Sequence, residues 1–175
     1  MIKKKKLYAK PRKMYQSQRI KEENELVKTY GLKNKREIWK TLAKTNYFRS
    51  RAKDLAKKPL EEQEVFFNKL RAIGLKVSTI ADVLSLKVED LLNRRLTTII
   101  SQRKVASTVK QARQMVVHKK VLVDGKVINS PSYLVPIAFE NSIHLKEKKK
   151  TAHKIKEENG EVKQNNEMEM EAEAR

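Results

Sequence analysis

The chain contains no cysteine. That excludes disulfides and any cysteine-ligated metal. Its three histidines, His118, His144 and His153, are too scattered to suggest a metal site. Glycine is scarce, with four in 175 residues, and none forms the glycine-rich loop that cradles a nucleotide phosphate. No apolar run approaches the roughly 20 residues a membrane helix needs. The opening MIKKKK lacks the apolar stretch of a signal peptide. No histidine stands in an array with a nucleophile, and Asp82, Asp90 and Asp124 have helix-start or turn explanations. These absences argue against an enzyme, so no catalytic residue, cofactor or metal is expected. Acidic side chains are also in short supply: 21 against 41 Lys and Arg, a formal charge of +20. A self-repelling charge of that size is costly unless a polyanion neutralises it. Nucleic acid is the leading partner, and an anionic membrane surface a distant second.

The positive charge is uneven. Residues 1–58 hold 20 basic and 5 acidic side chains, whereas residues 157–175 hold seven Glu against Lys163 and Arg175. Residues 1–18 show no apolar period and read as a basic arm. In it Arg12 and Lys13 flank Pro11, and Tyr8 and Tyr15 interleave the charges. Such an arm can order along phosphate, with aromatics stacking on bases. Residues 19–87 read as a helical domain. Its first helix is Arg19 to Tyr30, followed by Gly31 where a helix end favours glycine. A second runs Lys33 to Lys58 with Ile38, Trp39, Leu42 and Ala43 as its apolar period, and the poor fit near Asn46 to Ser50 leaves room for a kink or break there. Arg49 and Arg51 there are candidates to face RNA. A third helix, Leu60 to Ile73, carries Val65, Phe66, Leu70 and Ile73 and an acidic first turn suited to the helix dipole. A short turn of helix over Ser78 to Leu84 follows.

From Val88 a helix is expected to about Ser101, burying Leu91, Leu92, Leu96, Ile99 and Ile100. Arg94 and Arg95 sit side by side, so they are not expected both to point inward. A second helix starts at Ser107-Thr108, with Thr108 and Gln111 at capping-box spacing. Asp124-Gly125 between Val121-Leu122-Val123 and Lys126-Val127-Ile128 predicts a two-residue hairpin, because both turn positions favour positive φ. Leu134-Val135 and Ile143-His144-Leu145 are further short strands. The fold class is therefore α+β: a helical amino-terminal domain, then two helices and a short antiparallel sheet over residues 88–146. The tail, 147–175, has no apolar period and reads as disordered. Two helices and a hairpin would gather Arg95, Lys104, Lys110, Arg113, Lys119 and Lys120 into one basic patch. The free amides at the start of the second helix would add a phosphate-binding device. Such a surface reads folded RNA by shape and phosphate position.

The stretch RRLTTIISQRKVASTVKQARQMVVHKKVLVDGKVINSPSYLVP, residues 94–136, resembles the small RNA-binding domain named after ribosomal small-subunit protein four. It has the Arg-Leu opening, the Ser/Thr-led helix with Gln-Ala-Arg, the Val-x-Val-Asp-Gly hairpin and the closing Pro-Ser. The likeness extends through PRKMYQSQRIKEENELVKTYGLKNKREIWK, residues 11–40, and DLLNRRLTTII to the archaeal form of that ribosomal protein family, covering about Lys10 to Leu145. The resemblance implies direct binding to small-subunit ribosomal RNA, an early place in subunit assembly, and neighbouring small-subunit ribosomal proteins as partners. It also implies a cytoplasmic, ribosome-bound location, a share in decoding accuracy, and contact with messenger RNA where it enters the subunit. Carried over by position as RNA-binding are Arg94, Arg95, Ser107, Lys110, Gln111, Arg113, His118, Lys119 and Lys120. Ala112, Asp124, Gly125 and Pro131 match as structural residues. Two departures stand out: Lys119 replaces a frequent glycine, and Asp124 replaces the usual Asn of the turn. The alternative reading is a free RNA-binding module, or a subunit of an rRNA-modifying or ribosome-rescue factor. An attached modifying enzyme would need a large catalytic domain, and no segment supplies one.

Overall fold

In a computed structural model, residues 7–146 are described. They form an α+β body with helices α1 (Ser17–Thr29), α2 (Lys35–Leu55), α3 (Leu60–Ile73), α4 (Ile80–Ser85), α5 (Val88–Asn93), α6 (Leu96–Gln102) and α7 (Val109–Val117). Three short strands follow: β1 (Val121–Val123), β2 (Lys126–Val127) and β3 (Ile143–Leu145). The expected disorder of 147–175 and the first lysines of the arm lie outside the described residues.

The sheet is antiparallel in the order β2-β1-β3, with Val123 opposite both Lys126 and Ile143. Asp124 (φ 51°) and Gly125 (φ 71°) make the turn, and the Asp tolerates this left-handed region because its short polar side chain does. Val121 and Val123 point inward with Leu96, Ile99, Ile100, Ala112, Val116, Val135 and Ile143. Each fully buried Val, Leu or Ile here is worth roughly 1.5–3 kcal/mol. A second cluster joins Ala52, Phe67, Leu70, Leu75, Val77, Val83, Leu86 and Leu91, and a third Leu32, Ile38 and Leu92. Leu91 and Leu92 of α5 thus pack with the helical residues, while the hairpin core begins at Leu96.

Three expectations are corrected. First, α2 runs unbroken through Asn46–Ser50. Its poor apolar period there arises because the buried position is Thr45, whose hydroxyl donates to the Thr41 carbonyl at 3.1 Å and so meets no apolar neighbour unpaired. On the same helix Leu42 is exposed, and on α3 it is Phe67 rather than Val65 that is buried. Second, the helix expected from Val88 to about Ser101 is two helices. Arg94 ends α5, and Arg95 is extended (φ −73°, ψ 143°). The chain exchanges helical bonds for a bridge to Leu134: Leu96 N donates to Tyr133 O (2.9 Å) and Val135 N to Arg94 O (3.0 Å). Third, Leu134-Val135 contributes only that bridge and no regular strand.

The break between α5 and α6 decides what the two arginines do. It also corrects the expectation that Arg94 and Arg95 cannot both point inward: with the helix broken between them, both reach protein partners. Arg94 donates to Ile73 O (2.8 Å) at the end of α3, to Val135 O (3.0 Å), and to Glu140 (3.2 Å). Gly74 is required beside it: its φ is 95°, and a Cβ there would stand 2.4 Å from the Arg94 Nε.

Candidate nucleic-acid interface

Arg95 is only 4% exposed, with its guanidinium turned to protein partners. Its guanidinium donates to Glu37 Oε2 at 2.5 Å and to Pro131 O at 3.4 Å. Arg113, one turn into α7, grips the same carboxylate with both terminal nitrogens, at 3.1 Å and 2.7 Å. The first turn of α2 therefore holds one arginine from the α5–α6 break and one from α7. Burial alone would raise the Glu37 pKa. The hydrogen bonds from Arg113 and Arg95 and their charges outweigh it and hold the carboxyl below its ordinary value. With two guanidinium groups on one carboxylate, the group keeps a surplus positive charge.

That surplus faces a cleft of about 280 Å³ lined by Lys40, Thr41, Lys44, Arg95, Arg113 and Ser132, with Glu37 in its wall. Lys40 and Lys44 are exposed. Among the described residues Glu37 is the one acid facing these four cations, so the cleft attracts anions.

The outer rim is different. Lys104, Lys110, Lys119 and Lys120 are all exposed, as are Ser107, Gln111 and His118. None of the four lysines enters an ion pair among the described residues. Lys104 (φ 56°) and Lys119 (φ 58°) lie in the left-handed region just past the ends of α6 and α7. Helix ends there favour glycine, and Lys119 occupies the position where the resemblance leads one to expect it. Lysine at both sites accepts backbone strain to place an ammonium at the turn.

The start of α7 is less open than its sequence implies. Thr108 Oγ accepts from the Gln111 amide at 3.2 Å, and Gln111 Oε1 accepts from the Ser107 amide at 3.0 Å and from the Ser107 hydroxyl. The reciprocal bond lands one residue before the cap rather than on it. Gly31, with φ 57°, presses against Val109 and the Lys110 amide, where a Cβ would sit 3.2–3.3 Å away. Two of the amides expected to receive phosphate already have partners.

Among the other candidates, Arg12, Lys13 and Arg51 are exposed. Arg49 instead turns inward and donates to Leu86 O at 2.6 Å, with its Nε buried and unpartnered. The structure also brings forward two residues that charge counting passed over. Glu37 is the clamp just described. Glu23, buried on α1, pairs with Arg19 and Lys35 (both 3.3 Å) and accepts from Trp39 Nε1 at 3.0 Å. The available signal was their rarity, since five acids within 58 strongly basic residues leave each one surrounded by cations.

Residues 94–137 match the S4 domain family. The chain is 41% identical over 145 residues to small ribosomal subunit protein uS4 of Methanococcus aeolicus, covering 79% of this chain and 82% of that protein. It is 40% identical to the uS4 proteins of Halobacterium salinarum (81% and 85% covered) and Nanoarchaeum equitans (77% and 79%).

Proposed function

The chain belongs to the family of small ribosomal subunit protein uS4, and from that premise we propose that it is a structural constituent of the small ribosomal subunit that binds ribosomal RNA directly. The observation that carries this is the rim of exposed lysines on the S4 domain, none in an ion pair among the described residues: Lys104, Lys110, Lys119 and Lys120. Ammonium groups in water are point charges suited to phosphate at variable angles. They read the shape of an RNA fold rather than its base edges. The role is structural, not enzymatic, and its place is on the ribosome among neighbouring small-subunit proteins.

The division of labour is as follows. The basic arm, 1–18, tracks phosphate with Arg12 and Lys13. The helical part, 19–87, presents Arg51. The S4-type domain, 88–146, presents the lysine rim with Ser107, Gln111 and His118. Arg94, Arg95, Arg113 and Arg49 hold these parts in position and act on RNA through that placement. The tail, 147–175, is counted out of the RNA contacts: its last part, 157–175, holds seven Glu against Lys163 and Arg175. An early place in assembly, a share in decoding accuracy and contact with messenger RNA where it enters the subunit complete the reading.

The test is binding to small-subunit ribosomal RNA at several salt concentrations. Each neutralised phosphate steepens the log–log slope by roughly 0.7–0.9, so several contacts give a slope of at least about −4. Sedimentation with small subunits through a high-salt wash supplies the cellular counterpart. A flat salt response, or equal affinity for duplex DNA, would defeat the proposal.

A further inference from the structure

A stripe on α2 links the cationic cleft to a second, aromatic groove. Arg36, Lys40, Lys44, Tyr47 and Arg51 follow at four-, four-, three- and four-residue steps and are all exposed. Such steps place side chains along one helix face, here over about 22 Å. Lys40 and Lys44 line the cleft beside Arg95 and Arg113. Tyr47 and Arg51 line a groove of about 610 Å³ between α2 and α3, whose floor includes Phe66 and whose far rim carries Lys69.

Tyr47 is the unusual member. The residue is 65% exposed. The ring leans on Phe48 at 6.0 Å between centroids, and the contact continues to Phe66 (6.5 Å) and Phe67 (6.3 Å) in the core. It is therefore backed by a row of rings yet open to solvent. The groove's acid, Glu62, is already engaged by Lys58 at 2.7 Å, and Asp54, one turn past Arg51, marks the stripe's end. An aromatic platform flanked by Arg51 and Lys69, continuous with an anion-attracting cleft, has the layout used for single strands: charge follows the backbone while rings take the bases.

We propose that the α2 stripe receives an unpaired stretch of RNA, with a base stacked on Tyr47 and neighbouring phosphates met by Lys44, Arg51 and Lys69. This rests on the RNA-binding reading above and adds to it a base-contacting residue. An apolar segment of a neighbouring protein is the competing occupant. The four cations along the stripe favour the polyanion, because a protein segment filling an apolar groove gains nothing from them.

The experiment uses the full chain and three probes: small-subunit ribosomal RNA, a short single-stranded oligouridylate, and a base-paired RNA duplex. Tyr47→Ala should weaken oligouridylate binding about tenfold, the range of one lost base stack, and leave duplex affinity unchanged. Tyr47→Phe should bind as the parent does, since the ring face and not the hydroxyl carries the contact. Arg51→Gln should make the oligouridylate salt slope shallower by about one contact. An unchanged oligouridylate affinity for Tyr47→Ala overturns the proposal and leaves the groove to a protein neighbour. An equal loss on duplex and single strand overturns it too, because stacking on a free base would discriminate. These outcomes leave the ribosomal reading standing if the parent still binds ribosomal RNA. A parent chain that ignores ribosomal RNA ends both.

Discussion

Within the S4-type part, arginine and lysine occupy different worlds. All four arginines between residues 88 and 136 are committed to the protein: Arg94 to Ile73 O, Val135 O and Glu140, Arg95 and Arg113 to Glu37, and Arg103 to Asn141 (2.8 Å). All five lysines, Lys104, Lys110, Lys119, Lys120 and Lys126, are exposed and enter no ion pair among the described residues. The division follows from chemistry. A guanidinium is planar, weakly hydrated and offers five donors, so it can bridge carbonyls and a carboxylate in a seam. An ammonium is strongly hydrated and costly to bury, so it stays where solvent or phosphate can reach it. A count of positive charge treats both alike, whereas their surroundings separate a stitched seam from an adhesive rim.

The largest expected effect attacks the seam. Glu37→Ala leaves Arg95 buried without its carboxylate, and breaking a buried pair by removing one partner costs roughly 3 kcal/mol or more. Urea denaturation followed by circular dichroism measures this. A loss below about 0.5 kcal/mol, the level of an ordinary surface change, would mean that Glu37 is no clamp.

The complementary change attacks the rim. Replacing Lys104, Lys110, Lys119 and Lys120 together by Gln should lower affinity for small-subunit ribosomal RNA about hundredfold at moderate salt and flatten the salt slope by about 3. The urea midpoint should hardly move. A destabilised variant, or an unchanged slope, would erase the distinction between the two classes of cation.

This contrast also marks what can be read from residues alone. Elements with strong local signals were legible. Asp124-Gly125 between apolar pairs specifies the hairpin by its φ demands, and Leu60 to Ile73 is bounded by Pro59 and Gly74. The α+β class and the basic rim followed from periodicity and composition. What was hidden depends on distant partners. The α5–α6 break occurs where Leu134, 39 residues on, offers Arg95 a bridge, and no local propensity encodes that. The fate of the arginines was equally hidden, since Glu37 lies 58 residues from Arg95 and 76 from Arg113. A long-range ion pair leaves no periodic trace, so Arg95 and Arg113 read as members of the exposed patch until the seam was seen.

A smaller effect tests the other arginine of the seam. Gly74→Ala places a methyl group within 2.4 Å of the Arg94 guanidinium and forces a side chain into φ 95°. Backbone strain of this kind costs on the order of 1–3 kcal/mol, and displacement of Arg94 adds to it. A loss of about 2 kcal/mol of unfolding free energy is expected by urea denaturation, with the affinity of the folded protein for ribosomal RNA nearly unchanged. Gly125→Ala is the control: its φ is 71°, yet a Cβ there meets nothing within 4 Å. Equal losses at the two glycines would show that Arg94 contributes nothing beyond backbone strain.

The subtlest consequence is one of pH. The Glu37 carboxyl is held below its ordinary value of 4.5 by Arg113 and Arg95, against the opposing effect of burial. In the unfolded chain the carboxyl has no such partners and takes up its proton first as the medium is acidified. The unfolded state then binds more protons than the folded state, so stability falls with falling pH. The contribution is fully present above 4.5, shrinks as the pH drops below it, and is gone once the pH has passed through the folded value. Glu37→Gln removes this titration while keeping an oxygen that can accept from an arginine. The parent should therefore lose stability more steeply than Glu37→Gln on acidification from pH 6 to the low-pH limit of folding, and the two curves should converge at the acid end. Parallel curves would mean that Arg95 and Arg113 do not favour the ionised carboxylate, and that the seam is held by shape and neutral hydrogen bonds instead.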